Sequence, residues 1–466
     1  MSTGRMSEFA QICSGALVGD DCIFTGVSTD TRSLKANDLF IALQGPSFDG
    51  HEFLQQAQQL GASGFVISKD GCERVPHVRV DNTRRALGTF AAAWRKRFTI
   101  PVAAITGSNG KTSTKEMLAS IVRVKNETLA TTGNMNNDIG APLTLLKLKR
   151  SHQAAVIEIG TNAPGEIEYL TSLVAPTVGV ITNASSAHLE KLGSVEGVAE
   201  EKGALLRGLD SSATAVVNAD DRFSDYWKEQ LTTDNVLTFG EARDADFRFS
   251  NLEQSVDGGS AKLRFNMHTP NGTRRIVVPM AGRHHALNAV AAAATAQAMG
   301  VSLDDIEAGL STSNGIAGRM QIHLANCGAR IIDDSYNSNP ASARAAIHFL
   351  SEQKEAGWLV LGDMGELGSN APDMHASIGK LARELGVERL FAVGTHSRAA
   401  VAAFGNDAQW FETLDELKDA LGAALTQDKN VLIKASRSMR LERLVESLCL
   451  PVTEKASNEK NGVSTC

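Results

Sequence analysis

The chain has 466 residues, 42% hydrophobic and 21% charged, the make-up of a globular protein with apolar residues for several cores, and at ~150 residues each the length predicts about three domains. A formal net charge of −7 excludes a broad nucleic-acid-binding surface. The six cysteines (Cys13, Cys22, Cys72, Cys327, Cys449, Cys466) form no CxxC pair, which favours a reducing cytoplasm over a disulfide framework or zinc site; the N-terminus lacks a leader-like apolar core and no run nears ~18 apolar residues, so neither secretion nor membrane spanning is expected.

Residues 1–98 read as a small α/β domain. Asp38–Leu43 and Gly64–Ser68 are strand-like, His51–Leu60 is a short helix, and a second helix runs from Thr83 to Phe98 with Asp81 or Asn82 as its N-cap. Two polar loops stand out, one with Ser28, Thr29, Asp30 and Arg32, the other with Gly45, Asp49 and His51. Hydroxyls and an arginine beside glycines suit a nucleotide or sugar, and ordinary turn chemistry explains them equally well.

The central domain, 99–318, opens with a buried strand at Val102–Ile105, then Gly107, Ser108, Asn109, Gly110, Lys111, Thr112 and Ser113, then a helix from Lys115. Strand, glycine loop and helix in that order cradle phosphate with backbone N–H groups and a helix N-terminus. Lys111 would reach the terminal phosphates of a nucleotide and Thr112 would offer a hydroxyl to Mg²⁺. The loop is a shortened P-loop, with Ile105 where the usual spacing wants glycine.

Strands and helices then alternate, which predicts a mostly parallel sheet with ligands beyond the carboxyl ends of its strands. Polar residues gather at those ends. The glycine-bounded loop 133–140 carries Asn136 and Asn137 as substrate candidates, and Glu158 sits inside an apolar run. An unpaired buried carboxylate is costly, so Glu158 reads as a ligand of Mg²⁺ or of its water. His188, after Val178–Asn183, suits a structural role or a metal equally. Lys202 lies in the middle of the apolar face 195, 198, 199, 205, 206 and 209. It is either a snorkelling lysine or an amine held inward with a depressed pKa, able to take up CO₂ as a carbamate. Residues 246–279 change to period two with turns at 257–259 and 270–272, an antiparallel ribbon at the sheet edge. The stretch 282–288 opens an alanine-rich helix ending at Gly300.

Residues 319–466 form the third domain, with strands at Ala329–Asp333, Trp358–Leu361, Leu390–Val393 and Val431–Ile433 in a Rossmann-like doubly wound pattern. Loops 333–340 and 362–368 follow strands, and Tyr336 and Asn337 are substrate candidates in the first of them. The polar tail 451–466 is expected to fray.

Taken together, Thr106–Glu116, Gly133–Pro142, Glu158–Gly160, Ala187–Glu190, Glu201–Gly203, Gly282–Asn288, Gly318–Arg319, Asp333–Pro340 and Leu361–Gly368 resemble the Mur ligases over nearly the whole chain and in the same order. The stretches 134–140 and 362–368 look like the branch of that family that adds D-alanyl-D-alanine. The resemblance implies an ATP- and Mg²⁺-dependent amide ligase of cytoplasmic peptidoglycan-precursor synthesis, a monomer acting on small molecules. It implies that the first domain holds the UDP part of the substrate through residues 28–32 and 45–51. Glu158 and His188 match the family's magnesium ligands, Lys202 its carbamylated lysine, and Asn288 its adenine contact. Arg319 and Asp334 match its contacts to the ATP phosphates and ribose. Two departures are His285, where the family usually has asparagine, and Ala435, where glycine is commoner.

In such a reaction a carboxylate is phosphorylated by ATP and an amine attacks the acyl phosphate, with Lys111 and Arg319 offsetting the crowded negative charge. A folylpolyglutamate synthetase shares the central pattern but normally lacks a first domain like 1–98. A nucleotide-driven switch would need a base-specificity motif, and a passive sugar-nucleotide binder would not need Lys111, Thr112, Glu158 and Lys202 together.

Overall fold

The computed structural model describes residues 3–69, 75–257, 259–353 and 357–449; Cys72, Cys466, Gly258 of the first ribbon turn and the tail 451–466 lie outside them. Among the described residues there are three larger sheets, each built by a separate stretch of chain.

The first sheet has five strands, in the spatial order Ala16–Val18, His77–Arg79, Gly64–Ile67, Asp38–Ile41 and Gly26–Ser28, parallel except for the first pair. Alternation decides its faces. Leu39 and Ile41 join Phe9, Phe24 and Phe90 on one side, while Phe40 meets Phe65, Ile67 and Ala57 on the other. The helix Thr83–Arg95 is N-capped by Asn82, whose side chain accepts from Arg85 N. It also seats the first unit on the central one. Its Leu87 and Phe90 share a core with Leu145, Ile167 and Leu170, and Arg95 donates to the carbonyls of Val174 and Ala175.

The central sheet runs Thr128–Ala130, Ala154–Glu158, Val102–Thr106, Val178–Ile181, Thr214–Asn218 and Val236–Gly240, all parallel. Beyond it lie Phe247–Asp257, parallel to its neighbour, then Ser260–Thr269 and Gly272–Val278, each antiparallel to the strand before, so the ribbon extends the sheet at its edge as expected. Both faces are covered. The helices Lys111–Val122 and Arg283–Ala298 pack on Ala103 and Ile105, and Glu166–Val174 and Val195–Arg207 pack on Val102 and Ala104. The phosphate-loop helix begins at Lys111, a turn earlier than the sequence pattern predicts, because Gly110 at φ +80° forms its N-cap.

The third sheet runs Gln321–Leu324, Arg330–Asp334, Asn430–Lys434, Gly357–Gly362, Arg389–Val393 and Ala408–Phe411, parallel except for the first strand. The first and last of these escape sequence patterning, being short, mixed in polarity and at the edges. Ala281 of the central unit is buried in the third unit's core, with Val256 and Ala261 of the ribbon packed against it. The connection passes through Gly318 at φ +71°, whose carbonyl accepts from Tyr336 N.

Candidate active site

The phosphate loop is fixed by the end of the neighbouring strand. Thr182 Oγ1 and Asn183 Nδ2 both donate to the carbonyl of Asn109, at 2.6 and 3.1 Å, and Ser108 N donates to the carbonyl of Asn183. Gly107 must be glycine: it lies at φ +148°, and a Cβ there would overlap Thr182 Oγ1. Lys111 curls over the loop, its Nζ donating to the carbonyls of Gly107 at 2.5 Å and Ser108 at 3.3 Å. Burial lowers its pKa, Glu158 and Glu366 partly restore it, and Arg319 lowers it further. Ser113 lies 3.4 Å from Nε2 of His285, whose Nδ1 is 2.6 Å from the Ala281 carbonyl. A carbonyl only accepts, so Nδ1 carries a proton, while burial lowers the pKa of the ring. That is the work His285 does at this departure from the family pattern.

Glu158 is 2% exposed at the end of its strand. Its Oε1 accepts from Asn136 Nδ2 at 2.8 Å, its backbone N donates to Thr131 Oγ1, and its Oε2 is buried with no partner. Buried Lys115 anchors this cradle from below, donating to the Thr131 carbonyl at 2.8 Å and pairing with Glu116. Asn137, by contrast, turns its Oδ1 to the N–H groups of Ile139 and Gly140 and shapes the loop.

Lys202 is 1% exposed on the helix Val195–Arg207, in the apolar stripe where the spacing puts it. Burial holds its pKa well below the ordinary value, Lys111 depresses it further, and Glu201 opposes them. Glu201 itself faces the next helix. Its carboxylate accepts from Gly165 N at 2.7 Å, Ile167 N at 2.8 Å and Thr161 Oγ1 at 3.2 Å, an N-terminal cap that fixes the rotation of the helix carrying Lys202. His188 sits in left-handed backbone, φ +56°, with Nδ1 2.5 Å from Glu366 Oε2. Glu366, in the third unit, is left-handed too, and His188 holds its carboxyl below the usual range.

The third unit reaches the phosphate loop directly. Arg319 Nη2 donates to Thr112 Oγ1 at 3.2 Å, its Nε is buried without a partner, and Asn339 Nδ2 donates to Asn109 Oδ1 at 2.7 Å. Asp334 accepts from buried Lys434 Nζ at 2.5 Å, and the same ammonium donates to the Asn337 carbonyl at 3.0 Å. His284, beside Lys434 and Arg319, is held well below its ordinary pKa, first by burial, then by those cations and His285. Asn288 faces the loop, and a Cβ on Gly110 would overlap its Oδ1.

The candidates of the first unit are largely engaged with one another. Asp30 takes Arg32 in a bidentate pair, with that pairing the main cause of its lowered pKa, and Ser28 Oγ donates to the Asp30 carbonyl. Thr29 and Gly45 share those loops. Asp49 pairs with Lys69 and accepts from His51 Nδ1 at 2.6 Å, while His51 Nε2 accepts from Ser68 N. The Arg32 side chain remains 87% exposed, and so open to an anion.

Sequence reasoning missed Lys115, Glu201, Glu366 and Lys434 as members of this constellation. Lys434 carries the same mark that revealed Glu158, a charge ending an apolar strand. Glu366 carries none, since only the meeting of two units gives it a partner.

Family models match three stretches: the Mur ligase family catalytic domain over 23–95, the Mur ligase middle domain over 105–296, and the Mur ligase glutamate ligase domain over 318–437. The UDP-N-acetylmuramoyl-tripeptide–D-alanyl-D-alanine ligase of Escherichia coli K12 is 38% identical, covering 96% of this chain and 99% of its own. The crystal structure of MurF from Acinetobacter baumannii superposes with a TM-score of 0.90 at 34% identity, covering 96% of this chain and 99% of its own. A folylpolyglutamate synthase from Mycobacterium tuberculosis shares the fold over 78% of this chain and 94% of its own, at 18% identity and a TM-score of 0.63.

Proposed function

This chain belongs to the Mur ligase family, and from that premise we propose how its three units divide one ligation. The enzyme joins D-alanyl-D-alanine to UDP-N-acetylmuramoyl-tripeptide at the expense of ATP, through an acyl phosphate, releasing ADP and phosphate in peptidoglycan-precursor synthesis. We assign the UDP part to 1–98, ATP to 99–318 and the dipeptide to 319–466. The observation that carries this division is the convergence of Lys111, Lys202 and an unpartnered Glu158 oxygen at one loop, met by Arg319 from the next unit.

Lys111 is the central unit's cation for the terminal phosphates, and Arg319 adds a second beside Thr112 as charge builds on the transferring phosphoryl group. Asn288 receives the adenine and Asp334, held by Lys434, the ribose. Ser28–Arg32 and the Gly45–His51 loop face the UDP group, and Asn136 orients Glu158. Among the described residues no three His, Cys, Asp or Glu side chains gather as a self-sufficient metal site. Glu158 Oε2, the Thr112 hydroxyl and His188 nonetheless fit Mg²⁺, which commonly takes one or two carboxylates and fills its shell with phosphate oxygens and water. Bound there, it neutralises phosphate charge and polarises the phosphoryl group. Lys202, whose ammonium form burial disfavours, would take up CO₂ with loss of a proton and become a carbamate facing the same centre. None of the described helices is long and apolar enough to cross a membrane, and we place the enzyme in the cytoplasm as a monomer.

A coupled assay of ADP release tests the reaction. Release should require ATP, UDP-muramoyl-tripeptide and D-Ala-D-Ala together, and equal release with folate and glutamate would overturn it.

A further inference from the structure

The loop 363–368 follows the strand Gly357–Gly362 of the third unit, and its first three residues are each tied down. Asp363 Oδ1 accepts from His396 N at 3.0 Å and from Ser397 N at 2.8 Å. Met364 N donates to Nε2 of fully buried His375 at 2.9 Å, and that ring's Nδ1 lies 2.6 Å from the Ala371 carbonyl. Gly365 N donates to Ser436 Oγ at 2.9 Å. The next residue, Glu366, is thereby presented to the central unit. Its carbonyl accepts from Glu190 N at 3.3 Å, and its Oε2 lies 2.5 Å from His188 Nδ1.

Stability does not account for this contact. The Glu366 side chain is 55% exposed, and an ion pair so open to water contributes little. Both residues also hold left-handed backbone, at φ +62° and +56°, which residues other than glycine adopt at a cost. We infer that Glu366 is a positioning residue for magnesium: seated by the third unit, its carboxylate sets the ring and tautomer of His188 so that Nε2 is left to ligate the ion. This rests on the reading above, in which His188 is a magnesium ligand. An ionised carboxylate only accepts, so beside it the ring proton belongs on Nδ1 and the lone pair on Nε2. Carboxylates hold metal-bound imidazoles in this way, fixing the ring and raising its basicity as a ligand. Among the described residues Nε2 makes no hydrogen bond, so it is free for that work. What this chain adds is the source of the carboxylate. It arrives from another unit, so the metal site is complete only when the third unit is seated, and by reciprocity bound metal favours seating.

Mn²⁺, a stand-in for Mg²⁺, tests this when titrated into enzyme with a non-hydrolysable ATP analogue, with the free ion read by electron paramagnetic resonance. The analogue alone serves as reference. Glu366→Ala should bind the ion roughly 10–100-fold more weakly than wild type, the usual loss when the outer partner of a metal ligand is removed. Glu366→Gln, whose amide oxygen still accepts, should fall between them. In a His188→Ala background, adding Glu366→Ala should change the affinity by less than about 2-fold, because the ring to be positioned is gone. A residue that only docked the two units would weaken binding equally in both backgrounds, and that result would overturn the inference. So would wild-type affinity in Glu366→Ala, or in Glu366→Gln should the alanine variant fail to fold. If His188→Ala itself binds Mn²⁺ as wild type does, the magnesium assignment falls and this inference with it.

Discussion

Glu201→Ala tests whether Lys202 depends on a neighbour that points away from it. The substitution strips the acceptor from Gly165 N, Ile167 N and Thr161 Oγ1. A buried donor left unsatisfied costs about 1–3 kcal/mol, so the two backbone groups alone cost about 2–6 kcal/mol, and we take about 3 kcal/mol. At about 2–4 °C per kcal/mol for a domain of this size, the melting midpoint should fall by roughly 6–12 °C. Below that midpoint the variant should still turn over more slowly than wild type, because the helix Val195–Arg207 loses its tie to the N-terminus of Glu166–Val174 and Lys202 leaves its register. Glu201→Gln, which keeps one acceptor oxygen but turns an N–H₂ toward an N–H, should lie between. Thermal unfolding by circular dichroism, read beside ADP release at a temperature where all three proteins are folded, measures both effects. An alanine variant that melts within about 1 °C of wild type would refute the reasoning, since no cap of that kind could then be present.

Lys111→Ala should abolish turnover while far-ultraviolet circular dichroism stays unchanged, because its ammonium bonds only loop carbonyls; a near-normal rate would remove it from the phosphate site. Lys202→Ala should lose activity far beyond its loss of stability, with partial rescue by short carboxylic acids, and full activity would leave only a packing role. Gly110→Ala should weaken ATP binding at least tenfold by equilibrium titration, since φ +80° is strained for alanine and the new methyl overlaps Asn288; unchanged affinity would clear both residues of contact with ATP. Small-angle scattering should show an open unliganded form that contracts on adding a non-hydrolysable ATP analogue and the UDP-tripeptide, with the hinge at Gly315–Arg319. A constant radius of gyration would count against closure.

How far the sequence could be read depended on whether a residue's role is local. The phosphate loop was legible because strand, glycines and Lys111 are consecutive. Lys202 was legible because helical spacing alone turns it inward, and burial at 1% bears that facing out. Glu158 was legible as a charge within an apolar strand, and Lys434 could have been found the same way. The loops of the first unit left two meanings open, and the Asp30–Arg32 and Asp49–Lys69 pairs explain why: the groups that suit an anion also satisfy one another. Glu366 and Asn339 were beyond reach, since their partners, His188 and Asn109, lie on other stretches of chain. The edge strands Gln321–Leu324 and Ala408–Phe411 were lost because each is four residues long and mixed in polarity, with no apolar alternation to mark it.

The bond between Arg319 and Thr112 joins residues 207 positions apart, and that between Asn339 and Asn109 spans 230. A ribosome adding about 5–20 residues per second makes the phosphate loop roughly 10–40 s before the arginine that completes it. On the assignment proposed above, the nascent chain would own a nucleotide cradle without its second cation throughout that interval. Splitting the site between distant stretches would then keep an unfinished protein from spending ATP, and a chain truncated before Arg319 should bind nucleotide yet stay idle.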